Sequence, residues 1–329
     1  MYLGTQFAAR TDADYETFKQ LGVNHINGFP DVQHQNWTPE NLIQYREKVE
    51  SFGLKLDMVQ LPLSSADIDT RIKNGEFYNI LLGASPERDY EIERICEIIS
   101  MCSKAGIPSV KYNLNIIGIP RTQSEFGRGG AKLSTFRWDK ADHNAHDTYA
   151  GKVSEDIFWE RIDYFLEKVV PVAEENKVRL ACHPHDPYTP PGYKGVTRVL
   201  GTVEGLKKFV SIRENKYHGL NFCQGTITEM MDNPGEEIFD VIRYFGNKEK
   251  IFNVHFRNIK GNKLSFTEVF PDEGSINMYE AIKVYKEVNY KYMLMPDHVP
   301  QINAKDPKMT AFSYCYGYIN ALLQSIESL

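Results

Sequence analysis

A (β/α)8 TIM barrel of parallel strands is the fold this sequence predicts, and three observations predict it. Apolar runs of strand length alternate with stretches of helical periodicity along most of the chain. Four consecutive runs in the second half close on a metal-ligand type: Val178-Arg-Leu-Ala-Cys-His183, His218-Gly-Leu-Asn-Phe-Cys223, Ile251-Phe-Asn-Val-His255 and, two residues past the run Tyr292 to Met295, Asp297. A parallel barrel gathers its chemistry at the carboxyl ends of its strands, which gives that recurrence a physical reason. Third, no Gly-rich fingerprint follows the first strand, as an open doubly wound sheet would require.

The elements follow in order. Tyr2 to Phe7 reads as the first strand, Asp14 to Leu21 as a helix stopped by Gly22, and Val23 to Asn27 as the second strand. Thr38-Pro39 is a cap and first helical residue, opening a helix with Leu42, Tyr45, Val49 and Phe52 on one face. Strand three is Leu54 to Gln60. Ser85-Pro86 opens a helix whose apolar stripe is Ile92, Ile95, Cys96, Ile99 and Cys102, ending before Gly106, and Ile107 to Leu114 is strand four.

From Asn115 to Val153 neither periodicity persists, a length too great for an ordinary connection. With Arg121, Arg128, Arg137, Trp138 and the glycines Gly127, Gly129 and Gly130 it reads as a long insertion after strand four, a lid over the mouth. His143 and His146 within it read as surface residues. A helix then runs from Ser154 with Phe158, Ile162, Phe165, Leu166, Val169 and Ala173 inward, and Pro171 predicts a kink or a junction. Strands five to eight alternate with helices near Val203 to Ile212, Glu236 to Phe245 and Ile276 to Val288, and a helix from Thr310 to about Ser328 closes the chain. Residues 1–329 therefore read as a single barrel domain with 115–153 inserted in it.

Composition narrows the partners. The net charge of −6 gives no basic footprint for nucleic acid, and no apolar stretch is long enough to span a membrane. Five scattered cysteines and the absence of a basic-then-apolar leader predict reduced thiols and a cytoplasmic location. A small soluble ligand is the expected partner, and a homo-oligomer is compatible with it.

In a closed barrel the ends of four neighbouring strands converge, so His183, Cys223, His255 and Asp297 are expected to share one metal ion. Two imidazoles, a thiolate and a carboxylate suit Zn²⁺, Fe²⁺ or Mn²⁺. His298 beside Asp297 is the candidate for proton transfer, and Arg257 for a fork onto a substrate carboxylate. His185, Asp186 and Glu268 are candidate substrate contacts or supports of the ligands.

The motifs His183-Pro-His-Asp-Pro187, Leu220-Asn-Phe-Cys-Gln-Gly-Thr226, His255-Phe-Arg-Asn258, Phe266-Thr-Glu268 and Pro296-Asp-His298 occur in the order of the D-mannonate dehydratase family, which the sequence resembles over most of its length. That resemblance implies a TIM-barrel hydro-lyase converting D-mannonate to 2-keto-3-deoxy-D-gluconate with a divalent cation, commonly Mn²⁺, and with a small anionic sugar acid as substrate. His185 stands where the family usually has aspartate. The family's proton-transferring tyrosine aligns near Phe312 or Ser313, and Tyr314 is taken as the neighbour that fills the role. A metal-dependent sugar isomerase or epimerase, and a non-catalytic sugar-acid binding protein, are the alternatives. Each would use the same cage.

Overall fold

In the computed structural model, which describes residues 1–327, eight parallel strands close into a barrel. They are β1 Tyr2–Thr5, β2 His25–Gly28, β3 Lys55–Gln60, β4 Ser109–Asn113, β5 Arg179–His183, β6 His218–Cys223, β7 Ile251–His255 and β8 Met293–Met295. Neighbours around the barrel follow the chain, and β1 closes it against β8 with Tyr2 opposite Met293 and Leu3 opposite Leu294. The expected fold class holds.

Two cores result from the period-two alternation of the strands. Met58, Ala181, Phe252, Met293 and Met295 form a small cluster apart from the large one. Phe18, Val49, Ile95, Phe165, Phe209, Phe245 and Tyr285 belong to that large core, to which the surrounding helices contribute their apolar faces. The helix Pro39–Ser51 starts where its capping box predicts, with the Thr38 hydroxyl accepting from the Asn41 amide. The helix Pro86–Lys104 is capped by Ser85, and Gly106 follows it at a φ of 71°, a conformation open to glycine at little cost.

Three expectations need correction. The helix Glu155–Asn176 runs through Pro171 as one helical span, so that residue does not mark a junction. A helix Ile68–Asn74 lies between strand three and Ser85, where no element was expected. The chain beyond β7 forms a hairpin, Asn258–Asn262 with Ser265–Val269, which the alternation around Gly261-Asn262 could have signalled. The expected end of the last helix, Ser328, lies outside the described residues; its described part is Pro307–Glu327.

The insertion 115–153 is ordered around short strands. Thr135–Arg137 pairs antiparallel with Ser265–Val269, so insertion and hairpin share one three-stranded sheet beside the catalytic end. Among its arginines, only Arg121 reaches the strand-end cluster described below. Arg128 bonds to Asp272 at 2.6 Å and Arg137 to Glu125 at 2.7 Å. His143 and His146 are exposed, as expected. No described helix is long and apolar enough to cross a membrane.

Candidate active site

His183, Cys223 and His255 are the final residues of β5, β6 and β7, and Asp297 lies two residues past β8. Cys223 is in register with His255, and His255 with Met295, so the barrel places these strand ends side by side. One ligand atom from each of His183, Cys223, His255 and Asp297 lies within 4.8 Å of all the others, and all four residues are buried. His255 Nδ1 stands 3.1 Å from Asp297 Oδ2, and Cys223 Sγ 3.9 Å from the same oxygen.

The donor set is prepared for a cation. His183 Nδ1 is 2.7 Å from the Pro184 carbonyl, which assigns its proton there and leaves Nε2 with a free lone pair. Burial, assisted by the charge of Lys111, pushes His183 down to about 4, so the ring is neutral as a ligand must be. Burial would raise the Cys223 thiol, but Arg257 and His255 more than offset it and draw it below its usual range, toward thiolate. The Thr226 hydroxyl also bonds to this sulfur at 3.1 Å. Asp297, despite burial, is held well below the usual carboxylate range by His298, His255 and Arg257. Buried His255 Nδ1, aimed at Asp297, has no well-formed hydrogen bond. A divalent cation fits these residues.

Beside the cage lies a second tier in which ligand atoms of Asp186, Glu268 and His298 are also within 4.8 Å of one another. His298 Nδ1 stands 2.8 Å from Glu268 Oε1, while Nε2, 3.8 Å from Asp297 Oδ2, has no hydrogen-bond partner among the described residues. Burial lowers the proton affinity of His298, yet Asp297 and Glu268 raise it to about 10. The residue has φ 45°, in the left-handed region. That turn, immediately after Asp297, lets adjacent side chains serve one site where an extended chain would point them apart.

Arg257 is buried, with Nη2 donating to Asp186 Oδ2 at 2.6 Å and Nη1 to Glu229 Oε1 at 2.9 Å. Its fork therefore grips carboxylates of the protein, where a substrate carboxylate was expected. A Cβ on Gly225 would come within 2.5 Å of this side chain, so the close approach requires glycine. Arg121 pairs with both Asp186 and Glu268 and carries the insertion into the tier. Burial would raise Asp186 and Glu268, but these arginines, and His298, hold both below the ordinary range, Glu268 at about 2. Glu229, fully buried, is pushed well above its usual range first by burial and then by Asp186.

Two expected contacts are not brought to the cluster. His185 accepts from the Leu200 amide at Nδ1, faces the Leu114 carbonyl with Nε2 at 3.2 Å, and stacks on Phe158, so it braces the loop after β5. Tyr314 is exposed, with its ring edge-on to Phe270. In the same helix Phe312 and Tyr316 are buried, whereas two residues of helix turn carry Tyr314 about 200° away from either. Phe312 lines a cavity of about 580 Å³ together with Gln6, Phe7, Asp297, His298 and Val299. Sequence reasoning missed Gln6, Lys111 and Glu229, polar residues whose partners are distant in sequence, and Thr226, which bonds to both Cys223 and the distant Asp186.

A family model described as D-mannonate dehydratase matches residues 130–328, more than half of the chain and all of the cage. The chain belongs to the D-mannonate dehydratase family. Members of this family are hydro-lyases, and the family is metal-dependent. The mannonate dehydratase of Thermotoga petrophila is 29% identical over 298 aligned residues, covering 80% of this chain and 78% of that protein. That of Streptococcus agalactiae is 28% identical over 290 residues with the same coverage. The crystal structure of mannonate dehydratase from Streptococcus suis superposes with a TM-score of 0.82 at 24% identity, covering 98% of this chain and 93% of that one.

Proposed function

We propose that this chain dehydrates D-mannonate to 2-keto-3-deoxy-D-gluconate and water. The observation that carries the reading is the four-residue cage at the ends of β5 to β8, with His298 at its rim, in a chain of this family. His183, Cys223, His255 and Asp297 would hold the cation, Mn²⁺ first, then Fe²⁺, with Zn²⁺ also accommodated by the donor set. When bound, it supplies Lewis-acid stabilisation of the negative charge that builds up beside the substrate carboxylate. All four donors come from one chain, and the five free thiols fit a reducing, cytoplasmic setting.

The reaction must remove a weakly acidic proton from C2 and expel the C3 hydroxyl as water. His298 serves one of these proton transfers: Glu268 engages Nδ1, orienting the ring, and Nε2 is the nitrogen left to exchange a proton. Arg121 and Arg257 keep Asp186 and Glu268 ionised and in place behind it. Phe7, Val299 and Phe312 give the cavity beside Asp297 and His298 an apolar wall.

The test is product analysis in deuterated water with Mn²⁺-loaded protein and D-mannonate. Dehydration places solvent deuterium at C3 of a 2-keto-3-deoxy acid. An epimerase would return a sugar with every oxygen retained and deuterium at the inverted carbon, and that product would overturn the reading.

A further inference from the structure

The most unusual charge near the cage belongs to Lys111. It sits on β4, opposite Ala181 of β5 and so two residues before the level of His183, and is only 8% exposed. Its ammonium donates to Gln6 Oε1 at 2.7 Å, and the Gln6 amide donates in turn to Asp297 Oδ1 at 2.6 Å. One amide thus separates the cation from a cage carboxylate. Gln6 also lines the cavity shared by Asp297 and His298.

Lys111 differs from the other cations of the site. Arg121 and Arg257 are matched by Asp186 and Glu268, whereas Lys111 has no carboxylate within ion-pair distance among the described residues. An ammonium has three donors, and only one hydrogen bond from this one is present among the described residues. Burying a charge without an anion is costly, so a cation kept here is matched to negative charge that arrives with a ligand.

The charge count identifies that ligand. A thiolate from Cys223 and a carboxylate from Asp297 balance a divalent cation by themselves; a bound carboxylate then adds one negative charge, and Lys111 supplies the missing positive one. We propose that Lys111 is the substrate-side cation of this site, set beneath the cage to balance and hydrogen-bond the carboxylate of a 2-hydroxy acid, with Gln6 holding it in position. Burial lowers the proton affinity of the amine, and Asp297 and Cys223 raise it, in keeping with the same neighbourhood. The proposal rests on the reading of the site as one for sugar acids but does not require that turnover be dehydration.

Its signature is opposite effects on two bindings. Removing a cation near a metal site leaves Mn²⁺ affinity equal or higher, while an anionic ligand loses its partner. Mn²⁺ binding to the metal-free protein, and glycolate and D-mannonate binding to the Mn²⁺-loaded protein, are measured by calorimetry for wild type, Lys111→Met, Lys111→Gln and Lys111→Arg. The expected result is Mn²⁺ bound at least as tightly by the Met and Gln variants, glycolate bound about tenfold or more weakly by both, and anion binding largely retained by Arg. Should Lys111→Met fail to fold, the Gln and Arg pair decides. Anion affinity unchanged in the neutral variants, or metal and anion weakened together, overturns the proposal. If D-mannonate is not turned over but glycolate binding still depends on Lys111, the dehydratase reading fails and this one stands.

Discussion

At the scale of single residues, binding and proton transfer are assigned to adjacent positions, Asp297 and His298, whose side chains the left-handed turn at His298 brings to one site. The two functions should separate on mutation. His298→Asn retains a polar group of similar reach but cannot exchange a proton near neutral pH, so turnover should fall by about 10² to 10⁴ with metal content unaltered. Cys223→Ser should do the reverse first, lowering Mn²⁺ affinity strongly because a hydroxyl is a poor substitute for a thiolate. Metal analysis beside initial rates checks both, and full metal occupancy in a Cys223→Ser, His255→Ala double variant would refute the cage. The cage was legible in the sequence because position and chemistry are both local there: a ligand type recurring at the end of each strand. Lys111 was not legible, since its meaning depends on Gln6, 105 residues away, and an apolar strand with one lysine reads as an edge. His185 and Tyr314 lie away from the cluster for a related reason. A motif lists neighbours in sequence, whereas the loop after Pro184 and the 100° step of a helix decide where each side chain points.

At the scale of elements, the strands and their bordering helices follow from apolar periodicity and caps, while the insertion 115–153 and the hairpin after β7 do not. Each of these is made of short strands, and one strand of the insertion, Thr135–Arg137, finds its partner only in the hairpin's Ser265–Val269, so its pattern is incomplete alone. Their joint sheet holds Glu268 against His298, and Arg121, from the loop of the insertion, pairs with Glu268. An anion arriving at the mouth meets this coupled pair, and residues near Arg121 should then lose fluctuations as a lid does. Hydrogen exchange with Mn²⁺ and D-mannonate should show added protection between Gly118 and Arg137. Protection indifferent to a sugar acid shown to bind would make the insertion a fixed decoration that merely carries Arg121.

At the scale of the whole molecule, the barrel is asymmetric in its labour. β5 to β8 each contribute a cage donor at or just past the strand end, whereas β1 to β4 contribute none, and Gln6 and Lys111 reach across from that first half by a single hydrogen-bonded string. A cation held by the cage would join four strand ends at one point, and it binds the folded chain alone because the donors are scattered over more than a hundred residues in the unfolded one. Mass action then fixes the size of the effect. Free Mn²⁺ at about 100 times its dissociation constant stabilises the fold by about 2.7 kcal/mol. With an unfolding entropy of about 2 cal/mol/K per residue, a chain of 329 residues should gain about 4 °C in Tm. Chelation should reverse the gain, and Cys223→Ser should show little of it. The added hydrogen-exchange protection should concentrate at the ends of β5 to β8 and leave β2 and β3 as they were. A stabilisation spread evenly around the barrel, or one surviving the loss of Cys223, would place the cation elsewhere on the molecule.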